Sequence, residues 1–158
     1  MSHEALGKSD EWYTPKYIFD AMGVEFDMDV APARYGKSFV PAEDWSVDGL
    51  NLSWKGFVWM NPPFGPRNGL LPWLRKFFRH GDGVALTPDR TSAPWWQESA
   101  EQADAVLFVS PRVRFFRPDG TTGAQPSNGT TLFAAGGNGV EALRNAASLG
   151  VLMERAKL

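Results

Sequence analysis

Cysteine is missing altogether, and histidine occurs only as His3 and His80. Without cysteine there is no disulfide framework, no zinc–thiolate site and no thiol nucleophile. Two histidines are too few for most metal sites, so no metal is expected. No apolar run approaches the ~18 residues of a membrane span. The opening MSHEALGKSDEW has no apolar stretch of the signal-peptide kind, so a cytoplasmic protein is expected. Charge of one sign is also scarce, with a net −2 from 16 basic and 18 acidic residues. That balance excludes retention on nucleic acid by bulk charge, because sequence-independent DNA affinity comes mainly from Lys and Arg contacts to phosphate. Internal repeats and low-complexity tracts are absent as well.

What is present suits one soluble domain. At 158 residues the chain can bury a real core. Residues 1–10 read as a loose tail and 11–158 as a single domain. Local basic character is not excluded: Arg90, Arg112, Arg114 and Arg117 crowd the second half, whereas the first fifty residues hold only Arg34.

TPKYIFDAMG predicts a short helix, with Thr14 as cap, Pro15 in its first position and Gly23 at its end. VEFDMDVA alternates apolar and acidic residues, a strand ending at Asp29. Residues 32–53 read as irregular. GFVWM, GVALT, AVLFVS and GTTLFAAG read as strands, the third of them continuing through RVRFF. LPWLRKFFRH, SAPWWQESAEQA and NGVEALRNAASLG read as helices. Ser92 or Ala93 would cap the second of these. The third carries the Asn138–Glu141 spacing of a capping box and closes at Gly150. Helices alternating with continuously apolar strands predict an α/β layer sandwich on a mostly parallel sheet, covered on both faces. Ligands bind such sheets at the carboxyl ends of their strands. Asp29, Asn61 and Thr87-Pro88-Asp89-Arg90 fall at those ends.

The most informative stretch is VWMNPPFG, residues 58–65. Pro62 and Pro63 fix two φ angles and remove two backbone donors. What remains are acceptors. The Asn61 side-chain oxygen and the Pro62 carbonyl can converge on one –NH2 group, and Phe64 offers a flat face for a planar base. A turn that merely stops a strand, with Phe64 in the core, uses the same residues. Of the adjacent Trp95 and Trp96 only one can face inward. Asp89-Arg90 is either a salt-bridged turn or part of the target-nucleotide site. Arg112, Arg114 and Phe116 would share one strand face, either solvated or set against phosphates and bases.

Five stretches together resemble the phage-type DNA N6-adenine methyltransferases. They are DEWYTP at 10–15, FDMDVA at 26–31, DGLNLSWKGFVWMNPPFG at 48–65, ALTPDRTSAPWWQE at 85–98 and VLFVSPRVRF at 106–115. The Asn-Pro-Pro-aromatic turn is the most specific, although it marks amino-group methyltransferases broadly. The resemblance implies a Rossmann-like methyltransferase sandwich and S-adenosyl-L-methionine as cofactor. It implies a methyl group passed directly to N6 of an adenine flipped out of DNA. Asn61, Pro62, Pro63 and Phe64 would be catalytic. Trp12, Thr14, Pro15, Asp29, Ala31, Asp48, Leu50 and Asn61 would meet the cofactor. Phe64, Arg67, Arg90, Arg112 and Arg114 would meet DNA.

The resemblance further implies a phage or prophage setting, with restriction protection or regulation as the role, and a monomer or homodimer as the working unit. There are departures. Val30 stands where the family usually has Pro, Phe64 stands for the commoner Tyr, and no Gly-rich phosphate loop is present. Residues 30–47 are too few for a full helix–strand–helix segment, so the sheet is expected to be trimmed at one edge. Cytosine N4, RNA or a protein amide are the other substrates this turn serves. A non-catalytic nucleic-acid-binding relative would keep the same fold.

Overall fold

The computed structural model describes residues 12–33, 38–63, 69–123 and 128–156. The elements run α1 (Lys16–Met22), β1 (Phe26–Asp29), β2 (Ala42–Trp45), β3 (Val58–Met60), α2 (Leu70–His80), β4 (Gly83–Pro88), α3 (Pro94–Gln102), β5 (Ala105–Val109), β6 (Thr130–Ala135) and α4 (Gly136–Asn145). A 3-10 turn (Ala147–Leu149) and β7 (Gly150–Glu154) follow. The strands form one sheet in the order β2-β1-β3-β4-β6-β5-β7. Neighbours are parallel from β2 to β4 and antiparallel from β4 to β7. Only β6 and β7 therefore oppose the common direction, and the expected mostly parallel α/β sandwich is what forms.

Alternation along the strands supplies two cores. Trp59, Val84, Leu86 and Leu132 face the side covered by α1 and α4, where Ile18, Phe19, Met22, Ala142 and Leu143 pack. Val58, Met60, Ala85 and Phe133 face α2 and α3, against Leu70, Leu74, Phe77 and Trp96. β6 is buried at all six positions, as expected of a central strand covered on both faces. The reduced edge is β2, four residues with alternating exposure. It lies within the stretch expected to be irregular.

Other expectations need correcting. Pro15, not Thr14, occupies the cap position of α1, because the Thr14 hydroxyl is engaged elsewhere. The strand of residues 105–109 does not continue through RVRFF, since Pro111 has no N–H to offer a ladder. Only Phe116 is bridged there, to Tyr13 and Thr122. The capping box is not formed: Ala135 caps α4, and Asn138 Nδ2 donates to Asp82 Oδ1 at 3.3 Å. Nor does Gly150 close that helix. The helix ends at Asn145, and Gly150 begins the edge strand β7. Ala93 is the residue that caps α3.

Candidate active site

The carboxyl ends of β1, β2, β3 and β4 open onto one cavity of about 1410 Å³. It draws Asp29 from β1, Asp48 from the turn after β2, Asn61 and Pro62 from the end of β3, and Thr87 and Pro88 from β4. Trp12 and Thr14 reach it from the segment before α1. That segment is fastened to the loop after β5 by two backbone hydrogen bonds. Tyr13 N donates to Phe116 O at 2.8 Å, and Phe116 N donates to Tyr13 O at 3.0 Å. The Arg117 guanidinium lies over the Trp12 ring at 5.4 Å.

At the turn, Asn61 Nδ2 donates to Thr14 Oγ1 at 3.1 Å. Thr14 is buried. The bond fixes the amide plane and leaves Oδ1 as an acceptor at the cavity wall. Pro62 beside it is buried and Pro63 exposed. Neither has an N–H, so the local backbone offers carbonyls to a ligand. This is an acceptor pair suited to an amine.

Asp29 is the electrostatic singularity of the site. Its side chain is 5% exposed and accepts one hydrogen bond, from Ala31 N to Oδ1 at 3.1 Å. Burial pushes its carboxyl up to about 7, with the Ala31 amide pulling weakly the other way. A buried carboxylate with so little compensation favours a cationic group beside it. Asp27, on the same strand, is exposed and accepts from Phe57 N at 2.7 Å, so it is a structural acceptor.

Asp48 belongs to no strand and sits on a tight turn after β2. Asn51 N and Leu52 N both donate to Asp48 O, at 3.2 and 2.9 Å. Asn51 Nδ2 donates to both carboxylate oxygens of Asp48, at 3.0 and 2.9 Å. Gly49 permits the turn to press on the end of β1, because a Cβ there would stand 1.9 Å from Val30 O and 2.8 Å from Trp73 Cζ3. Leu50 is partly exposed and lines the cavity.

Trp12, Thr14, Asp29, Ala31, Asp48, Leu50, Asn61, Pro62, Pro63 and Arg90 are thus brought together. Pro15 is buried and caps α1 without lining the cavity. Arg112 and Arg114 stand exposed on either side of buried Val113, away from the cavity wall. Phe64 and Arg67 fall outside the described residues. Trp96 is core, and its Nε1 donates to Thr131 Oγ1 at 3.1 Å. Trp95 lines the cavity.

Trp45, Trp73 and Phe115 also line it, and sequence reasoning gave no site role to the two tryptophans. Trp73 reads as one more apolar residue of an amphipathic helix. Trp45 hides in a four-residue acidic strand. Phe115, among arginines, was the one with a readable signal.

Among the described residues the wall combines a buried carboxylate, an exposed carboxylate on a turn, and aromatic surface. That donor set fits a molecule with a cationic end and a flat nucleoside end. Among the described residues no cluster of His, Asp or Glu is placed to hold a metal, and no helix is long and apolar enough to cross a membrane. No curated protein and no solved structure matches the chain. A family model, DNA N-6-adenine-methyltransferase (Dam), matches residues 1–135. The chain therefore belongs to the Dam family of DNA adenine-N6 methyltransferases.

Proposed function

We propose that the cavity binds S-adenosyl-L-methionine and that Asn61 and Pro62 present an adenine amine to it. The observation that carries this reading is the Asn61–Thr14 bond at 3.1 Å. It commits the amide nitrogen and so reserves the oxygen for a donor. When bound, the cofactor supplies an electrophilic methyl on a sulfonium. The chain supplies position and charge. Asp29 meets the cationic amino-acid end, with Ala31 N holding its carboxylate. Asp48 and Leu50 meet the nucleoside end, and Trp12 and Thr14 close the side nearest Asn61.

Adenine N6 is a poor nucleophile because its lone pair is shared with the ring. The Asn61 oxygen and the Pro62 carbonyl accept its two N–H bonds, and the lone pair is thereby turned out of the ring plane. Pro63 stiffens the turn, and Phe64 gives the base a stacking face. A stacked base cannot reach the cavity, so the target leaves the duplex. Transfer is direct, without a covalent enzyme intermediate, and the acceleration comes from positioning and preorganised acceptors. Arg67, Arg90, Arg112 and Arg114 contact the DNA backbone, Arg90 from the cavity wall. The enzyme works in the cytoplasm, as monomer or homodimer, with phage modification of DNA against restriction or for regulation as its setting.

The test is tritiated methyl transfer from S-adenosylmethionine to unmethylated DNA, wild type beside Asn61→Ala, with product nucleosides identified by mass. Label in N6-methyladenine, falling on the order of 10²–10³ in the variant, is the expected result. Label in another nucleoside, or full turnover by the variant, overturns the reading.

A further inference from the structure

The connection from β2 to β3 crosses over the end of β1 without a helix. Its turn at Asp48–Leu52 carries the wall facing the proposed nucleoside end of the cofactor. A helix would satisfy its own carbonyls. This turn cannot, and its Gly49, Leu50 and Leu52 carbonyls all point to one side chain. Lys76 Nζ, on α2, donates to Gly49 O at 2.8 Å, Leu50 O at 3.1 Å and Leu52 O at 2.5 Å. An ammonium has three N–H bonds, and all three are spent on one turn.

The clamp is reinforced from below. The Lys76 ammonium sits 4.9 Å from the Trp54 ring centroid, and Trp54 Nε1 donates to the same Gly49 O at 2.7 Å. Lys76 is half-buried. Burial, with help from nearby Arg79, holds its ammonium below the usual lysine range. Lysine is ordinarily a solvated surface charge. Here its ammonium is spent on backbone carbonyls, at a turn whose residues Asp48–Asn51 also line the cavity.

Resting on the proposed cofactor reading, we propose that Lys76 is a positioning residue for the nucleoside end of the cofactor. It acts through the Asp48–Leu52 turn and touches neither cofactor nor DNA. Loss of its three bonds frees the turn and weakens nucleoside binding, while the acceptor pair at Asn61 is untouched. Asp29 acts on the opposite end of the ligand, so the two residues are separable by ligand fragment.

The experiment is calorimetry of S-adenosylhomocysteine and of 5′-methylthioadenosine, which lacks the amino-acid end. The proteins are wild type, Lys76→Met, Lys76→Arg and Asp29→Asn. Lys76→Met keeps the apolar stem and removes the donors. It is expected to weaken both ligands by about tenfold or more. Its KM for cofactor should rise in step, with kcat at saturating cofactor unchanged. Lys76→Arg, which cannot match three carbonyls with a planar fork, should fall between. Asp29→Asn should weaken only S-adenosylhomocysteine.

Unchanged affinity in Lys76→Met, or a fall in kcat without a change in cofactor KM, overturns the proposal. If Lys76→Met does not fold, Lys76→Arg decides, and wild-type affinity in it counts against the clamp. Wild-type protein that binds neither ligand overturns the cofactor reading itself, a separate result.

Discussion

In β2, β1, β3 and β4 every strand points the same way, and their carboxyl ends meet at one edge. In β6, β5 and β7 each strand opposes its neighbour. The first half places Asp29, Asp48, Asn61 and Thr87 around the cavity. Among the described residues the second reaches it through Phe115, Asn128, Gly129 and Thr130, the first residue of β6. Parallel pairing returns each connection to the same side, so strand ends accumulate chemistry. Antiparallel pairing divides the ends between both sides, and β6 can be buried along its whole length. One half is left open for a ligand, and the other carries the fully buried β6, with β7 as its exposed edge. The family match ends at Ala135, the last residue of β6, so α4 and β7 extend the antiparallel half beyond it.

Substitutions in the two halves should fail differently. Phe133 is fully buried between Trp96 and Phe78, with ring centroids 5.5 and 6.2 Å away. Phe133→Ala should cost about 3–5 kcal/mol, read as a lower denaturation midpoint, with kcat per folded molecule unchanged. Asn61→Ala should show the reverse, lost turnover at an unchanged midpoint. If both variants lost stability and turnover together, the division of labour between the halves would be wrong.

Asp29→Asn tests the open half from another side. The Asp29 carboxyl is raised to about 7 in the fold, so the folded chain holds a proton that the unfolded chain releases near pH 4. Its contribution to stability is full below pH 4 and is lost as pH rises through about 7. The asparagine variant should lack that loss. At pH 8 it should be more stable than wild type by on the order of 3 kcal/mol, by denaturant titration without ligand. S-Adenosylmethionine affinity should rise through pH 7 in wild type and stay flat and weak in the variant.

The smallest effect belongs to Thr14→Val, which keeps the shape and removes the acceptor for Asn61. Turnover should fall by about fivefold in the methyl-transfer assay, with stability little changed. An undiminished rate would mean that the amide is oriented without Thr14.

The sequence was most legible where one residue type has few uses. Pro62-Pro63 after an apolar run marked a donor-poor turn, and Asn61 stands there. Pro94 and the helical spacing of Leu74, Phe77 and Phe78 marked α2 and α3 correctly. Legibility failed where exposure hides the pattern. β2, Ala-Glu-Asp-Trp, is an edge strand with half its residues in water, so it lacks an apolar signature. The helix reads through to Gly150 because the 3-10 turn at Ala147–Leu149 keeps the chain looking helical, and the half-exposed β7 beyond it carries no strand signal. Arg112 and Arg114 were read onto a strand that Pro111 forbids. Nothing in the sequence singles out Lys76, since only the fold brings Gly49, Leu50 and Leu52 to it.

The cavity is lined by Trp12, Trp45, Trp59, Trp73 and Trp95, five of the seven tryptophans in the chain. Their indoles range from fully buried Trp59 to Trp45, 64% exposed, so they sample the cavity from floor to rim. Intrinsic fluorescence of this protein is therefore largely a signal from one place. Filling the cavity would change the polarity around most of the emitting rings at once, and the unlabelled chain would report its own occupancy as a shift in emission.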